Sequence, residues 1–153
     1  MITYAGIKKL LNWFIGKTYG GNTLYAALSS TEPTIAGANV TEPSATSYGR
    51  VLIARGAQQN SYSAFGEPSD ALNGSSVLNN IQIYFPETFN AATQVVEDWG
   101  ELKYICIFDA ERAGNLVAFQ ELPESIHPGD NNESTIPIIR IGDAMFTISN
   151  PTE

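Results

Sequence analysis

The hydrophobic pattern changes period once, at Gly21, and that change shapes everything the chain can fold into. Before it, Ile7, Leu10, Leu11, Phe14 and Ile15 recur at i, i+3, i+4, i+7 and i+8, which makes one apolar stripe on a helix of about three turns. Thr3 is placed to cap its start, and Gly16 followed by Gly20 and Gly21 to end it. At about 100° per residue, Trp13 projects roughly 120° from the centre of the stripe, while Lys8, Lys9 and Asn12 take the far side.

Beyond Gly21 apolar residues alternate with polar ones, and Gly, Pro, Asn and Ser clusters cut the pattern into about eight candidate strands. Their expected bounds are Thr23 to Ser29, Arg50 to Ala57, Ser61 to Phe65, Asn80 to Phe85, Glu101 to Phe108, Leu116 to Leu122, Thr135 to Ile141 and Ala144 to Ser149. Helices between strands are largely missing, so the expectation is a mainly β fold. Specifically, it is an antiparallel β-sandwich, jelly-roll-like or Ig-like, preceded by a short N-terminal amphipathic helix. Residues 1–20 would be helix and connector and 21–153 the sandwich, together one structural domain. Two segments resist this scheme: Gln58 to Leu78 is polar and weakly patterned, and Thr88 to Asp98 reads as a loop or a short helical turn.

Glu101 to Phe108 is the best central strand, because Leu102, Tyr104, Cys106 and Phe108 line one face while Ile105 and Ile107 line the other. A strand apolar on both faces needs two covers. The opposing sheet supplies one; the N-terminal helix or a neighbouring subunit supplies the second. Between Leu24 and Arg55, two alternating runs bracket a loop that carries Glu32-Pro33 and Glu42-Pro43, each proline fixing its own φ and extending the glutamate before it. Arg50 and Arg55, near the ends of the following strand, are expected to pair with glutamates of that loop. Exposed pairs of this kind contribute only about 0 to 1 kcal/mol, so they would serve loop registration.

Several of these motifs together resemble a family of small bacteriophage virion proteins, the tail-fibre or structural proteins. The resemblance rests on a short N-terminal helix, the strand LYAALSSTEP, the loop with Glu42-Pro43 and the strand start Tyr48-Gly49-Arg50-Val51. It continues through Ile83-Tyr84-Phe85-Pro86 and the stretch from Trp99-Gly100 to Phe108-Asp109-Ala110. It spans nearly the whole chain and implies a virion building block without chemistry of its own, tail-associated or head-decorating.

Composition fits that picture. A chain of 153 residues buries roughly 68 to 70% of its unfolded surface, enough for a core without staples. The single cysteine, Cys106, reads as a buried thiol, not a nucleophile. The formal charge is −8, and the eight basic residues are scattered, whereas nucleic-acid binding needs clustered cations. Lys8-Lys9 before LLNWFIG has the layout of a secretory signal, but the apolar run contains Asn12 and no small-x-small site follows. Nothing approaches the roughly 20 apolar residues of a membrane span. The expectation is a soluble protein made in the host bacterial cytoplasm and carried in the virion, with no nucleic-acid or membrane partner.

Chemistry finds little to work with. His127, the one histidine, sits in the turn-like Ile126-His127-Pro128-Gly129-Asp130, and a His-centred hydrolase needs a nucleophile and an orienting acid around it. A zinc site lacks its ligands. Glu97, Asp98 and Glu101 beside Trp99 have the makings of a glycosidase acid pair with a sugar-stacking ring, yet a solvated acidic loop around a core tryptophan explains them as well. Asp109, Glu111 and Asn115 do not follow calcium-loop spacing and read instead as a hairpin turn bent at Gly114-Asn115. No catalytic residue, cofactor or metal site is therefore expected. The function expected is structural, through contacts with other virion proteins and copies of itself, and the interface residues expected are the aromatics outside the core pattern, Trp13, Tyr19 and Tyr62. The alternative is a carbohydrate-binding module that attaches to host-surface glycans through Trp99 or the tyrosines.

Overall fold

The computed structural model describes residues 3–17, 21–56, 62–71 and 74–149. In chain order, helix α1 (Tyr4–Phe14) is followed by β1 (Thr23–Ser29), β2 (Val51–Arg55), β3 (Tyr62–Ser63), β4 (Ser69–Ala71), β5 (Gly74–Leu78) and β6 (Ile83–Tyr84). Then come β7 (Phe89–Asn90), β8 (Val95–Val96), β9 (Leu102–Phe108), β10 (Leu116–Ile126), β11 (Ile138–Ile139) and β12 (Met145–Ser149). The protein is thus mainly β with an N-terminal amphipathic helix, and its strand pairings are antiparallel. Ala57, Ser61 and the connector residues Thr18 to Gly20 lie outside the described residues.

The chain divides into two compact units, each assembled from separated segments. One comprises residues 1–24, 52–82 and 140–153. Here α1 packs on β5 and β12, and Thr3 caps it as expected, its Oγ1 accepting from the Gly6 N–H at 3.1 Å. Ile7, Leu11 and Ile15 are fully buried, but Leu10, placed in the apolar stripe, is 44% exposed. The helix rests along its i, i+4 row, so the covered strip is narrower than the five-residue pattern and turns toward half-buried Asn12, which helical spacing alone puts on the far side. Phe146 stands between Phe14 and Phe65 in edge-to-face contacts of 5.7 and 5.2 Å. Asn79, almost wholly buried, donates through Nδ2 to the carbonyls of Ile81 and Arg140 and accepts through Oδ1 from the N–H groups of Gly142 and Ala144. A buried amide with partners on both ends fixes that turn, its four hydrogen bonds offsetting the cost of desolvation.

β4 and β5 fall in the segment Gln58 to Leu78, which has no clear pattern in the sequence. The reason is crowding: a Cβ at Gly74 would sit 2.0 Å from the Ile148 carbonyl oxygen, and Ser75 is fully buried, so small residues occupy strand positions where apolar ones are expected.

The other unit comprises residues 25–51 and 83–139. β9 runs between β1 and β10, with Tyr25 opposite Phe108 and Ser29 opposite Tyr104 on one side, and Phe119 opposite Cys106 on the other. Both faces of β9 are buried near its end, as its composition demands. On the Cys106 face a loop contributes cover: Val40, from the segment after β1, packs with Tyr104, Leu116 and Phe119 on Ala27, Cys106 and Phe108. β10 is longer than expected, reaching Ile126, and its pairing slips at Glu121 to Ile126, where Pro123 cannot donate to a ladder. Thr88 to Asp98 is a small hairpin of β7 and β8, Phe89 opposite Val96, and not a helical turn. Among the described residues no helix is long and apolar enough to cross a membrane.

Candidate functional site

The segment from Ser30 to Gly49 carries almost no regular structure, yet side chains hold it at three places. Next to β1, the Ser29 hydroxyl donates to the Thr31 carbonyl at 2.8 Å and accepts from the Thr41 N–H at 3.0 Å. At the outer end, Thr34 and Ala38 exchange bonds, and Asn39 Nδ2 donates to the Glu32 carbonyl at 2.7 Å. This turn presents Ile35 completely to solvent.

The second tie is Arg50. Its Nε and Nη2 donate to the two oxygens of Glu42 at 3.0 and 2.7 Å, its Nη1 to the carbonyls of Ala110 and Ala113, and its guanidinium lies 3.6 Å from the centre of the Phe108 ring. The Arg50 side chain is only 8% exposed. For Arg50 the expected pairing with the loop is therefore present, as a forked, partly buried ion pair whose carboxylate is 25% exposed. Tyr48 donates its hydroxyl to Glu42 Oε1 at 2.8 Å and accepts from the Leu28 N–H at 3.0 Å. Burial foremost pushes its phenol above the ordinary tyrosine range. A shallow groove of about 390 Å³ lies beside this network, lined by Glu42, Pro43, Tyr48, Arg50, Glu111 and Arg112 among others.

The third tie centres on Trp99. The indole is buried, stands edge-on to Tyr48 at 5.2 Å, and donates its N–H to Ser47 Oγ at 2.9 Å. Glu97 accepts from the N–H groups of Thr46 and Ser47 and from the Thr46 hydroxyl, and these bonds, with Ser47 foremost, hold its carboxyl down to about 2. Gly129 closes the turn beneath: its φ of +79° is left-handed, and a Cβ there would lie 2.1 Å from the Glu97 carbonyl oxygen.

The residues singled out for chemistry take structural posts in this arrangement. His127 Nε2 lies 2.8 Å from Asp98 Oδ1, joining two turns. The Gly100 N–H and then His127 hold the Asp98 carboxyl below its usual range. Glu97 and Asp98 thus address different neighbours, and Trp99 offers no open face for a sugar. Cys106 is buried among Ala27 and Phe108, and desolvation pushes its thiol up to about 12, far from a reactive thiolate. Asp109 grips the β9 to β10 turn, both oxygens accepting from Asn115 at 2.7 and 2.9 Å, which lowers its pKa. Among the described residues no three His, Cys, Asp or Glu side chains are grouped to hold a metal.

Of the interface residues expected, Trp13 is 48% exposed on α1 and Tyr62 is 38% exposed on β3, opposite Arg55. Tyr19 lies outside the described residues. The sequence reading missed the exposed Ile35, Tyr84, Ile136 and Ile138. Unbroken apolar runs such as Ile83-Tyr84-Phe85 and Ile136-Pro137-Ile138-Ile139 signal a doubly covered strand, so nothing local marks one face as open. No curated protein matches the sequence. Residues 1–142 match the family described as Podophage GP4 fiber I protein gp80, and the chain belongs to this family of phage fibre proteins, components of the virion.

Proposed function

We propose that the protein is a non-enzymatic building block of the phage fibre apparatus, working by surface burial against other virion proteins and against copies of itself. The observation that carries this reading is the exposure of large apolar side chains on elements that are otherwise held in place, with Trp13 on the capped helix α1 foremost. Tryptophan offers a large contact area at low entropic cost, and such residues dominate binding energy at interfaces. The side chains that elsewhere do chemistry are here occupied with holding loops, which supports a role without turnover. A fibre-associated position on the tail follows the family's description, and decoration of the head is the competing placement.

Particle incorporation is the test. Trp13→Ala should reduce the amount of the chain in purified particles at least tenfold while leaving its circular dichroism unchanged. Undiminished incorporation would remove Trp13 from the interface. Gold-labelled antibody on intact particles should mark the tail region; labelling spread over the head would move the protein to the capsid.

A further inference from the structure

The ribbon of β6 and β11 presents an outer face with four apolar side chains, and beyond Ile138 the same alternation leads to exposed Arg140. Ile138 lies opposite Tyr84 and Ile139 opposite Ile83, and the Phe85 N–H donates to the Pro137 carbonyl at 2.9 Å, carrying the same register one step on. Side chains alternate, so Ile83, Phe85, Pro137 and Ile139 are buried while Tyr84, Pro86, Ile136 and Ile138 share the solvent side. Tyr84 is 54% exposed, Ile136 51% and Ile138 41%. Two acids flank the Pro86 and Ile136 end: exposed Glu133, and Glu87, which accepts from the Ser134 hydroxyl.

A second apolar patch, of opposite charge, lies on α1. Its exposed side holds Lys9, Leu10 and Trp13. The first acidic residue in the sequence is Glu32, so residues 1–31 hold three lysines and no acid, a net charge of +3. The remainder holds all 16 acids against five basic residues, a net charge of −11. Lys8 and Lys17 pair with Asp70 and Glu67, and Lys9 stands on the exposed side.

We propose that the β6/β11 face receives the α1 face of a second copy of this chain, head to tail. The inference rests on the reading of the protein as a self-associating virion block and adds which surfaces meet. Dimensions agree: Cβ atoms of Leu10 and Trp13 are about 5–6 Å apart, and the ribbon's four outward side chains span about 5 Å across the strands and about 7 Å along them. Charges agree when the helix is oriented with Lys9 at the Pro86 and Ile136 end, where it would face Glu87 and Glu133 and stay away from Arg140 at the opposite end. Since the two faces differ, every contact leaves one of each unused, and association continues until the copies close on themselves.

Sedimentation of the full chain tests this by complementation. Wild type should associate beyond a dimer with rising concentration. Leu10→Glu with Trp13→Glu spoils the helix face, Tyr84→Lys with Ile138→Lys spoils the ribbon, and each variant alone should sediment as a monomer. Mixed one to one, they keep one intact face each, so they should form a heterodimer and nothing larger. Should circular dichroism show the charged variants unfolded, Trp13→Ala and Ile136→Ser with Ile138→Ser replace them. A wild-type chain monomeric up to about 1 mM, variants that self-associate like wild type, or a mixture that stays monomeric overturns the contact. Incorporation into particles is scored separately. A monomeric wild type that still enters particles overturns the head-to-tail contact alone, whereas a chain that associates this way but is missing from particles overturns the virion role alone.

Discussion

Arg50 shows how one side chain can fix a loop that has no regular structure. Its planar fork meets both oxygens of Glu42 while the remaining nitrogen reaches two carbonyls of the β9 to β10 turn. Lysine cannot reproduce that geometry. Removing Arg50 loses its charged hydrogen bonds to Glu42 and to two carbonyls, so Arg50→Ala should lower unfolding stability by about 2 kcal/mol, and Arg50→Lys should recover only part of it. Urea denaturation reads this directly; a loss below about 0.5 kcal/mol would make the pair a surface pair after all. Glu97 supplies a pH-dependent counterpart. Its folded value of about 2 lies below the ordinary 4.5, so its contribution is fully present above pH 4.5 and fades as the pH falls through about 2. Glu97→Gln should therefore show a flatter stability profile between those two pH values than wild type, and equal slopes would mean that Thr46 and Ser47 do not hold the carboxylate.

At the scale of elements, α1 and the short hairpins respond to different forces. The helix is specified locally by its cap and its apolar row. Thr3→Ala should cost about 1 kcal/mol, measured by thermal denaturation, because the Gly6 N–H loses its acceptor. Which turns of the row become buried is settled by β5 and β12, and that is why Leu10 is open. The β7/β8 hairpin has no apolar alternation to announce it. Its turn is made by Asn90, whose Oδ1 accepts from the N–H groups of Ala92 and Thr93, and by Gln94 at a φ of +58°. Two-residue strands of this kind depend on turn chemistry and neighbours more than on their own pattern.

Across the whole molecule, the chain passes between its two units near residues 24, 51, 82 and 139, so neither unit is a continuous stretch of sequence. Interleaving of this kind favours cooperative loss of structure. Calorimetry of the intact protein should give one endotherm whose calorimetric and van't Hoff enthalpies agree; two resolved transitions would show that the units fold separately.

Residue order alone was enough for the capped helix, for β1 with bounds Thr23 to Ser29, for the doubly apolar β9 and for a buried Cys106, because each is written in the side-chain period that backbone geometry imposes. Tertiary structure decided what periodicity cannot carry: that the Arg50 guanidinium is mostly withdrawn from water, that Val40 from a loop packs on Cys106, and that Tyr84 and Ile138 face outward although their runs read as buried. Burial depends on partners distant in sequence. A local pattern states which faces ask for cover, and only the folded chain determines which of them receive it.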